Sequence, residues 1–354
     1  MDDRIPLKKH TILPFDGMAC HVEDMIGCGS NAMVYRGWYS DGINSDQRHH
    51  VLIKELYPLH PQGKVCRLEN GQICSSEDAE DFFALHRRSF LRGNEIHLRL
   101  LADHPEQTGA NLNSFQFNHT LYSVLGYSGG RSLQDELGTQ LFPLRVHAKR
   151  MLLLLDALEA FHKSGYLHLD ISPDNIMLTG TADRENIFLI DYNSATALGD
   201  SEGVYFSFKA GYSPPELELG QRENTGFSSD LYSVAAVFYR CIMGRTLSLQ
   251  ETLRAKAPDG KESPCLHNAP QTLTDLVKKI LQKGLNTLPQ KRYRSIGQMR
   301  QAFLELIDRI DCVGITHWSL WENGKRVTEQ RIRINPALAF LREERNIYPM
   351  RLTC

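Results

Sequence analysis

No apolar run in this sequence is long enough to cross a bilayer, which takes about 20 residues. The longest run, 151–155, is interrupted by Asp156 and predicts a buried helix instead. The N-terminus, Met-Asp-Asp-Arg-Ile-Pro, has acids where a secretory signal has bases. We therefore expect a cytoplasmic protein with no membrane span.

The sequence also lacks a strong net charge and a cysteine framework. Its formal net charge is -2, whereas nucleic-acid-binding proteins show basic clusters, so no nucleic-acid partner is expected. The eight cysteines form no C-x-x-C pair and no metal-ligand spacing, which is typical of reduced cytosolic thiols. At 354 residues the chain suits one bilobal domain or two domains.

What the sequence does contain is an ordered set of polar residues around a predicted loop. Asp170 and Asn175 follow a long apolar helix, and an apolar run at 187–190 then ends in Asp191. Residues of these types also cap turns. Phosphoryl transfer to a hydroxyl, however, needs a base and then an amide and a carboxylate that hold metal ions. The segment resembles the catalytic loop and metal-binding motif of protein kinases, which implies that Asp170 accepts the hydroxyl proton and that Asn175 and Asp191 bind metal.

A glycine pair near the N-terminus resembles the kinase glycine-rich loop, G-x-G-x-x-G-x-V. Gly27 and Gly29 lie between apolar strand residues, with Ala32 in place of the third glycine and Val34 at the valine position. Glycines let the backbone approach phosphates without a Cβ in the way. A simple turn between two strands would explain the same pattern. The resemblance implies that Ile26, Gly27, Gly29 and Val34 contact the nucleotide.

The next predicted strand ends in Val-Leu52-Ile-Lys54, which resembles the V-A-I-K motif of kinases. A lysine after apolar residues is often only a strand end that enters solvent. Here Lys54 follows Val34 by twenty residues, and the Asp170 loop lies downstream, which together favour a phosphate-binding lysine. By the same resemblance Leu52 lies over the adenine ring, where kinases have a small alanine, and tightens that pocket.

A kinase-like lysine also needs an acid to hold it. The segment 90–101 has helical spacing with an apolar face and would be the kinase helix αC. We expect Glu95 on this helix to pair with Lys54 and to belong to the nucleotide site. Its rival Glu80 comes too early on the same helical stretch.

An insertion at 57–90 contains a predicted β-hairpin. Asn70-Gly71 is the preferred sequence of a two-residue type I′ turn. In that register Cys66 does not face Cys74, so no cross-strand disulfide is expected. The insertion is either a docking surface for a partner or a decoration.

A further strand, 121–125, gives way to glycines and a helix start, as in the kinase hinge. The resemblance implies that Leu125 lies at the back of the adenine pocket. Backbone groups of 126–128 would take the adenine edge, which makes Gly126 and Tyr127 binding residues. Met177 is assigned to the same pocket.

Three later motifs argue for the kinase fold. Pro-Pro215-Glu216 resembles the A-P-E end of an activation segment, and Asp230 resembles the acid that anchors the catalytic loop. Arg292 resembles the late arginine that pairs with the acid of A-P-E, here Glu216. The resemblance covers about residues 18 to 312 and is closest in look to bacterial serine/threonine kinases of eukaryotic type.

Four further departures from the family bear on mechanism. Leu169 replaces the arginine of H-R-D, and Ser172 replaces the lysine two residues after the predicted base. Asn193 replaces the glycine of D-F-G, and because asparagine tolerates positive φ a similar backbone remains open. Lys209 replaces a threonine and either supplies the charge lost at Ser172 or indicates another acceptor. None of these changes removes the predicted lysine, base or metal ligands.

Together these residues predict an α+β fold of the bilobal protein-kinase type, with a small β-rich N-lobe that carries helix αC and a larger, mainly helical C-lobe. The expected boundaries are an N-terminal extension at 1–17, the N-lobe at 18–126 and the C-lobe at 127–312. A C-terminal extension at 313–354 packs on the C-lobe or leads to a further domain.

The predicted activity is transfer of the γ-phosphoryl group of ATP, with Mg²⁺ or Mn²⁺, to serine or threonine hydroxyls of a protein substrate. Two alternatives stay open at this point. One is a nucleotide-binding pseudokinase or scaffold, and the other is a small-molecule kinase of kinase-like fold. A partner or additional domain would attach through the 57–90 insertion or the C-terminal extension.

Overall fold

The structure is a computed structural model that describes most of the chain. The described residues are 2–15, 17–40, 47–127, 129–139, 142–180, 184–200, 205–254, 263–267, 269–313, 315–322 and 325–333. From residue 313 onward only the backbone is described, so the predicted packing of the C-terminal extension lies outside it. No helix in these ranges is both long and apolar enough to span a bilayer.

The strands are, in chain order, β1 (Ile12–Phe15), β2 (Met18–Cys28), β3 (Ala32–Tyr39), β4 (His49–Leu56), β5 (Val65–Arg67), β6 (Ile73–Ser75), β7 (Asn111–Phe117), β8 (Thr120–Gly126), β9 (Arg131–Ser132), β10 (Tyr166–Leu167), β11 (Ile176–Thr179), β12 (Asn186–Leu189), β13 (Thr196–Ala197), β14 (Ile315–Glu322) and β15 (Lys325–Arg333). The helices are α1 (Glu80–Asp103), α2 (Leu133–Thr139), α3 (Leu144–Lys163), α4 (Pro215–Glu218), α5 (Phe227–Met243), α6 (Leu249–Arg254), α7 (Gln271–Gly284) and α8 (Ile296–Val313).

The chain divides into two compact units, each of which is assembled from several segments. The first contains the described residues up to Gly129, the short segment Ser164–His168 and the described part of 191–207. The second contains Gly130–Lys163, Leu169–Ile190 and the described residues from Phe208 onward.

The first unit is built on a six-stranded antiparallel sheet with the order β1-β2-β3-β4-β8-β7. In β4 the side chains alternate, as a strand requires: Val51 and Ile53 are buried in the core, and Leu52 and Lys54 are half-buried on the other face. Phe90 of α1 belongs to the same core. Residues 12–15, which we expected in an N-terminal extension, form an edge strand of this sheet.

The hairpin of β5 and β6 differs from its prediction in register. Arg67 pairs with Ile73, and Cys66 lies directly opposite Cys74, with 3.5 Å between the two Sγ atoms. The prediction that these cysteines do not face each other is therefore wrong. The reason is the turn: Gly71 has a φ of +88°, and Asn70 is not among the residues with positive φ, so the loop has three residues and ends in a left-handed glycine.

The second unit is mainly helical. Helix α3 contacts α5 and α8, and α7 contacts the same two helices. Helix α5 is buried at almost every position. In α3, Met151, Leu154 and Leu155 of the apolar run are buried, and Leu152 and Leu153 are half-buried. Strands β12, β11 and β9 form a three-stranded sheet in that order, with β11 in the centre.

A buried ion pair fixes one part of this unit. Arg292 donates from its two terminal nitrogens to the two carboxylate oxygens of Glu216, each at 2.7 Å, and both side chains are at most 2% exposed. Ser229 Oγ donates a third hydrogen bond to Glu216 at 2.7 Å, and Arg292 Nε donates to the carbonyl of Asn286 at 2.6 Å. The predicted pairing of Glu216 with Arg292 is thereby confirmed.

The change Arg292→Met is expected to lower the free energy of unfolding by about 3–5 kcal/mol, because it leaves the buried Glu216 carboxylate without its cation. Arg300→Met is the matched control. Arg300 pairs with Asp156 and Glu159 at partly exposed positions, and its loss should cost less than about 1 kcal/mol. Urea unfolding followed by circular dichroism measures both, and equal losses would contradict the assignment.

Candidate functional site

Lys54 is held by Asp191 in the first unit. Its Nζ lies 2.8 Å from Asp191 Oδ1 and 5.8 Å from the centre of the Phe90 ring. The Lys54 side chain is 13% exposed and that of Asp191 is 32% exposed. Lys54 is thus largely shielded from bulk water, whereas the Asp191 side chain remains partly accessible to solvent. The strand predicted to present the lysine and the acid predicted from the apolar run are brought together.

Asp191 begins a short 3₁₀ turn, Tyr192–Ser194, in a left-handed backbone conformation with a φ of 62°. The Asn193 N–H donates to Asp191 Oδ1 at 3.3 Å. Burial by itself raises the pKa of this carboxyl, but the charge of Lys54 and its hydrogen bond outweigh that effect and hold the pKa below its usual value. Asp191 is therefore ionised at neutral pH. The sequence allowed a positive φ at Asn193, but in the structure the residue with the positive φ is Asp191.

Tyr192 packs between two histidine rings. It stacks on His97 of α1, with 4.3 Å between ring centres and 4° between the planes, and its ring lies 5.9 Å from that of His168. His168, two residues before Asp170, thus lies beside the Asp191 turn. Gly93 makes the close approach of α1 possible, since a Cβ there would lie 2.7 Å from the Tyr192 carbonyl oxygen. His97 was missed from the sequence, although it lies four residues after Gly93 on the same helical face.

Glu95 does not hold Lys54. Its carboxylate accepts a hydrogen bond from Arg99 at 2.5 Å, one turn further along α1, and its side chain is 62% exposed. The predicted Lys54–Glu95 pair is therefore wrong. The helix presents Phe90, Gly93 and His97 to the lysine and the Asp191 turn, and Glu95 points to solvent on another face.

The glycine-rich turn is tied down by the N-terminal segment. Arg4 donates to the carbonyl of Gly29 at 2.7 Å, to Cys28 Sγ at 3.0 Å and to the carbonyl of Tyr57. The Cys28 thiol donates to the Asp2 carboxylate at 2.9 Å, and Asp2 also pairs with Arg4. The Arg4 guanidinium is almost fully buried. No motif predicted this role, since Arg4 is far along the chain from the glycine-rich turn that it supports.

The other predicted residues of the turn and strand are placed as follows. Gly27 pairs with Val34 across β2 and β3, and Ile26 before it is exposed. Leu52 pairs with Leu125 across β4 and β8, and both are half-buried.

The remaining residues predicted to bind the adenine lie at the end of β8, directly after it and in β11. The Gly126 N–H already donates to the Ala110 carbonyl at 3.0 Å, which removes it from the groups that could bind a ligand edge. Tyr127 is exposed. Met177 lies in β11 of the second unit, paired with Ser132 and Phe188.

Glu55, the residue after Lys54, is the centre of a buried polar cluster. Its carboxylate accepts hydrogen bonds from Arg67 at 2.5 Å, from the Tyr35 hydroxyl at 2.9 Å and from the Tyr122 hydroxyl at 2.5 Å. Burial and the neighbouring Glu55 charge raise the pKa of both tyrosines, so they remain protonated donors. This cluster fixes the β4 backbone beside Lys54.

The predicted catalytic loop lies in the second unit. The Asn175 amide nitrogen donates to the Asp170 carbonyl at 2.8 Å, and the Asn175 N–H donates to the Ser172 carbonyl at 2.9 Å. Leu169 has a φ of 60°, and its N–H donates to Asp230 Oδ1 at 2.8 Å. The predicted anchoring of this loop by Asp230 is confirmed. Because the Asn175 nitrogen is used, its amide oxygen is the atom left for a cation.

Lys209 reaches the same loop. Its Nζ donates to Ser172 Oγ at 3.0 Å and pairs with the Asp174 carboxylate. The ammonium thus lies beside the residue at which the family lysine is missing.

Asp191 and Asn175 offer oxygen atoms, which are the ligands that Mg²⁺ and Mn²⁺ prefer. Among the described residues there is no cluster of three or more histidine, cysteine or acidic side chains that could hold a metal by itself. The donor type of each residue, Asp191 in the first unit and Asn175 in the second, therefore fits a divalent cation.

Comparison with known proteins identifies the family. Residues 89–303 match the protein kinase domain, and the chain belongs to the protein kinase family. It is 29% identical over 191 residues to serine/threonine-protein kinase PknG of Mycolicibacterium smegmatis, which covers 53% of this chain and 22% of that protein. It is 26% identical over 230 residues to serine/threonine-protein kinase PknJ of Mycobacterium tuberculosis, which covers 61% of this chain and 37% of that protein. The chain thus spans well under half the length of these relatives.

Solved structures agree on the fold. The PpkA-294 apo form has a TM-score of 0.58 at 23% identity and matches 85% of this chain and 99% of its own. The kinase domain of Mycobacterium tuberculosis PknI, as a C20A_R136N double mutant, has a TM-score of 0.57 at 21% identity and matches 85% and 99%. The predicted α+β kinase-like fold, with a β-rich N-terminal part and a helical C-terminal part, is confirmed.

The buried His97 gives a pH dependence with a defined sign. Burial, assisted by the Lys54 charge, lowers its pKa to about 4, although a hydrogen bond with the Gly109 carbonyl opposes this. The folded protein therefore keeps His97 neutral, while the unfolded chain takes up a proton below its ordinary pKa near 6.5. Stability is full above pH 6.5 and falls as the pH falls towards 4.

Between pH 7.5 and 5 this residue alone should account for a loss of about 2 kcal/mol. The change His97→Phe should therefore make stability less dependent on pH by about that amount, whatever it does to stability at pH 7.5. Urea unfolding of both proteins at the two pH values measures the difference. The other histidines titrate in both proteins and cancel. An unchanged pH dependence would show that His97 is protonated in the folded state.

Proposed function

We propose that this chain is an ATP-dependent protein kinase that transfers the γ-phosphoryl group to serine or threonine hydroxyls of proteins. The observation that carries the proposal is the ion pair of Lys54 and Asp191, formed by the two residues that the sequence motifs single out. The family and the named serine/threonine kinases among its relatives support the acceptor class.

The roles follow from the chemistry of each group. The Lys54 ammonium binds phosphate oxygens, and Asp170 orients the acceptor hydroxyl and takes its proton. By the kinase resemblance Asp191 and Asn175 would be the ligands of Mg²⁺ or Mn²⁺, which would neutralise charge on the phosphates. The lowered pKa of Asp191 keeps it an anion, which is the form in which a carboxyl group binds a cation. The Arg4 contacts to Gly29 and Cys28 hold the glycine-rich turn in one arrangement for the phosphates.

A nucleotide-binding pseudokinase is the second candidate, and one observation favours it. Lys54 has Asp191 as its acidic partner, and Glu95 is exposed and paired with Arg99. In the part of the chain that the structure describes, Asp191 is the acid paired with Lys54, so bound phosphates would compete with Asp191 for the Lys54 ammonium. An assay of phosphoryl transfer distinguishes this candidate from an active kinase.

Phosphate incorporation from labelled ATP tests the proposal. The wild-type chain with Mg²⁺ should label a generic protein substrate, and Lys54→Met and Asp170→Asn should each lower the rate by about a hundredfold or more, because both groups act on the transferred phosphoryl group or its acceptor. Retained ATP binding without transfer would instead support the pseudokinase, and label only on a small metabolite would support a small-molecule kinase. A wild-type rate for Lys54→Met would contradict the assignment of the lysine.

Lys209 gives a second test within the proposed function. We expect its ammonium to supply the positive charge that Ser172 lacks, because the two side chains are hydrogen-bonded. Lys209→Met should lower kcat by about tenfold to a hundredfold with little change in KM for ATP. The double change Ser172→Lys with Lys209→Thr returns the charge to the loop and should recover much of the loss.

The matched control for Lys209 is Lys279→Met, on the exposed side of α7. It removes one lysine from the same unit and should leave kcat unchanged. If Lys209→Met retains the wild-type kcat, or the double change is as slow as Lys209→Met, Lys209 does not serve the transferred phosphoryl group.

A further inference from the structure

The two cysteines of the β5–β6 hairpin are arranged for a reaction with each other. Cys66 and Cys74 are direct cross-strand partners, and their Sγ atoms are in contact at 3.5 Å. This contact joins strands that the chain itself connects through only a short loop. Both strands move with the hairpin, so a movement of the hairpin as a whole keeps the two thiols together.

The backbone hydrogen bonds around the pair define its geometry. The Leu68 N–H donates to the Gln72 carbonyl at 2.8 Å, and the Ser76 N–H donates to the Lys64 carbonyl at 3.0 Å. In an antiparallel ladder such pairs alternate, so residues 66 and 74 lie at a hydrogen-bonded position between them. The Cα atoms at such a position are about 5.5 Å apart, which is within the range of disulfide-bonded cysteines.

The pair is open to reagents in solution. Cys66 is exposed and Cys74 is partly exposed, whereas Cys20 and Cys241 are buried. Cys28 is also exposed, but its thiol faces Asp2 and Arg4 rather than a second cysteine. An oxidant that reaches Cys28 would leave a mixed disulfide there, while one that reaches Cys66 meets a second thiol at once.

We propose that Cys66 and Cys74 form a reversible intramolecular disulfide by exchange with a low-molecular-weight disulfide. The Cys66 thiolate attacks one sulfur of the reagent and releases one thiol, which leaves a mixed disulfide on Cys66. Cys74 then attacks Cys66 Sγ and releases the second thiol. The two protein thiols lose two electrons and two protons in total, and the reagent is reduced to two thiols.

The order of attack follows from the surroundings of the two sulfurs. Burial and the contact with Cys66 raise the pKa of the Cys74 thiol, and Cys74 is the less exposed of the two. The more exposed Cys66 therefore meets the reagent first, and Cys74 completes the bond.

The bond would fix an arginine that the first unit depends on. Arg67 follows Cys66, and its side chain binds the buried Glu55 carboxylate, the Gly71 carbonyl and the Ile5 carbonyl. Joining the two strands limits how far the hairpin can open and so keeps Arg67 on Glu55. The disulfide also restricts the unfolded chain, which stabilises the folded protein. The predicted consequence is a higher unfolding temperature for the oxidised protein.

Trypsin provides a direct readout, because it cleaves after Lys64, Arg67 and Arg87. The full chain is equilibrated with glutathione disulfide, its free thiols are blocked, and it is then unfolded and digested without reductant. The proposal predicts a cross-linked species of the peptides 65–67 and 68–87 that separates on addition of dithiothreitol. It also predicts a rise of a few degrees in Tm that dithiothreitol reverses.

Three variants make the result decisive. Cys66→Ser and Cys74→Ser should each lose the cross-linked species and the Tm rise, and Cys28→Ser should keep both. Recovery of 65–67 and 68–87 only as separate glutathione adducts or blocked thiols from the wild-type chain would overturn the proposed bond. A cross-linked species with an unchanged or lower Tm would overturn its stabilising role. Neither readout depends on kinase activity.

Discussion

The contact between Lys54 and Asp191 places two constraints on the chain at once. The lysine must leave a strand whose alternate side chains are buried, and the aspartate must begin a turn in a left-handed backbone conformation. Each charge compensates the cost of partly burying the other, and neither would be stable there alone. The rest of the first unit can be understood as the structure that brings these two side chains within 2.8 Å.

Two sets of contacts support that ion pair from the protein side. The buried Glu55 carboxylate, next to Lys54, accepts hydrogen bonds from Arg67 and two tyrosine hydroxyls, and a shift of β4 would break these bonds. On the other side, Tyr192 stacks on His97, and Gly93 lets α1 approach the turn. The acid that the sequence assigned to hold the lysine is absent from this arrangement, and an aromatic stack and a glycine take up that face of the helix.

Residues that belong to motifs with a fixed order and spacing could be predicted from the sequence. Asp230 and the Glu216–Arg292 pair belong to motifs in which identity and order specify a role, and the structure places them in the expected contacts. Lys54 and Asp191 were also singled out by their motifs, but their contact with each other was not expected. Glu95 failed because neighbouring positions on a helix face directions about 100° apart, and the sequence alone did not fix which face met the lysine.

The hairpin and the N-terminal segment show a different limit. One residue in the turn separates two registers of β5 and β6, and both are compatible with Asn-Gly. Arg4 supports the glycine-rich turn through contacts made only after folding, from a segment with no motif of its own. Local sequence patterns therefore predicted the candidate site residues better than they predicted the residues that support them.

Calorimetric titration of the full chain with ATP, with and without Mg²⁺, for the wild type and Asp191→Asn is the most direct test of the role of Asp191. Mg²⁺ should strengthen binding to the wild type by about tenfold or more, and this gain should be lost in Asp191→Asn, because the Asp191 carboxylate is the proposed ligand of the cation. An equal gain from Mg²⁺ in both proteins, or no gain in the wild type, would contradict the role assigned to Asp191.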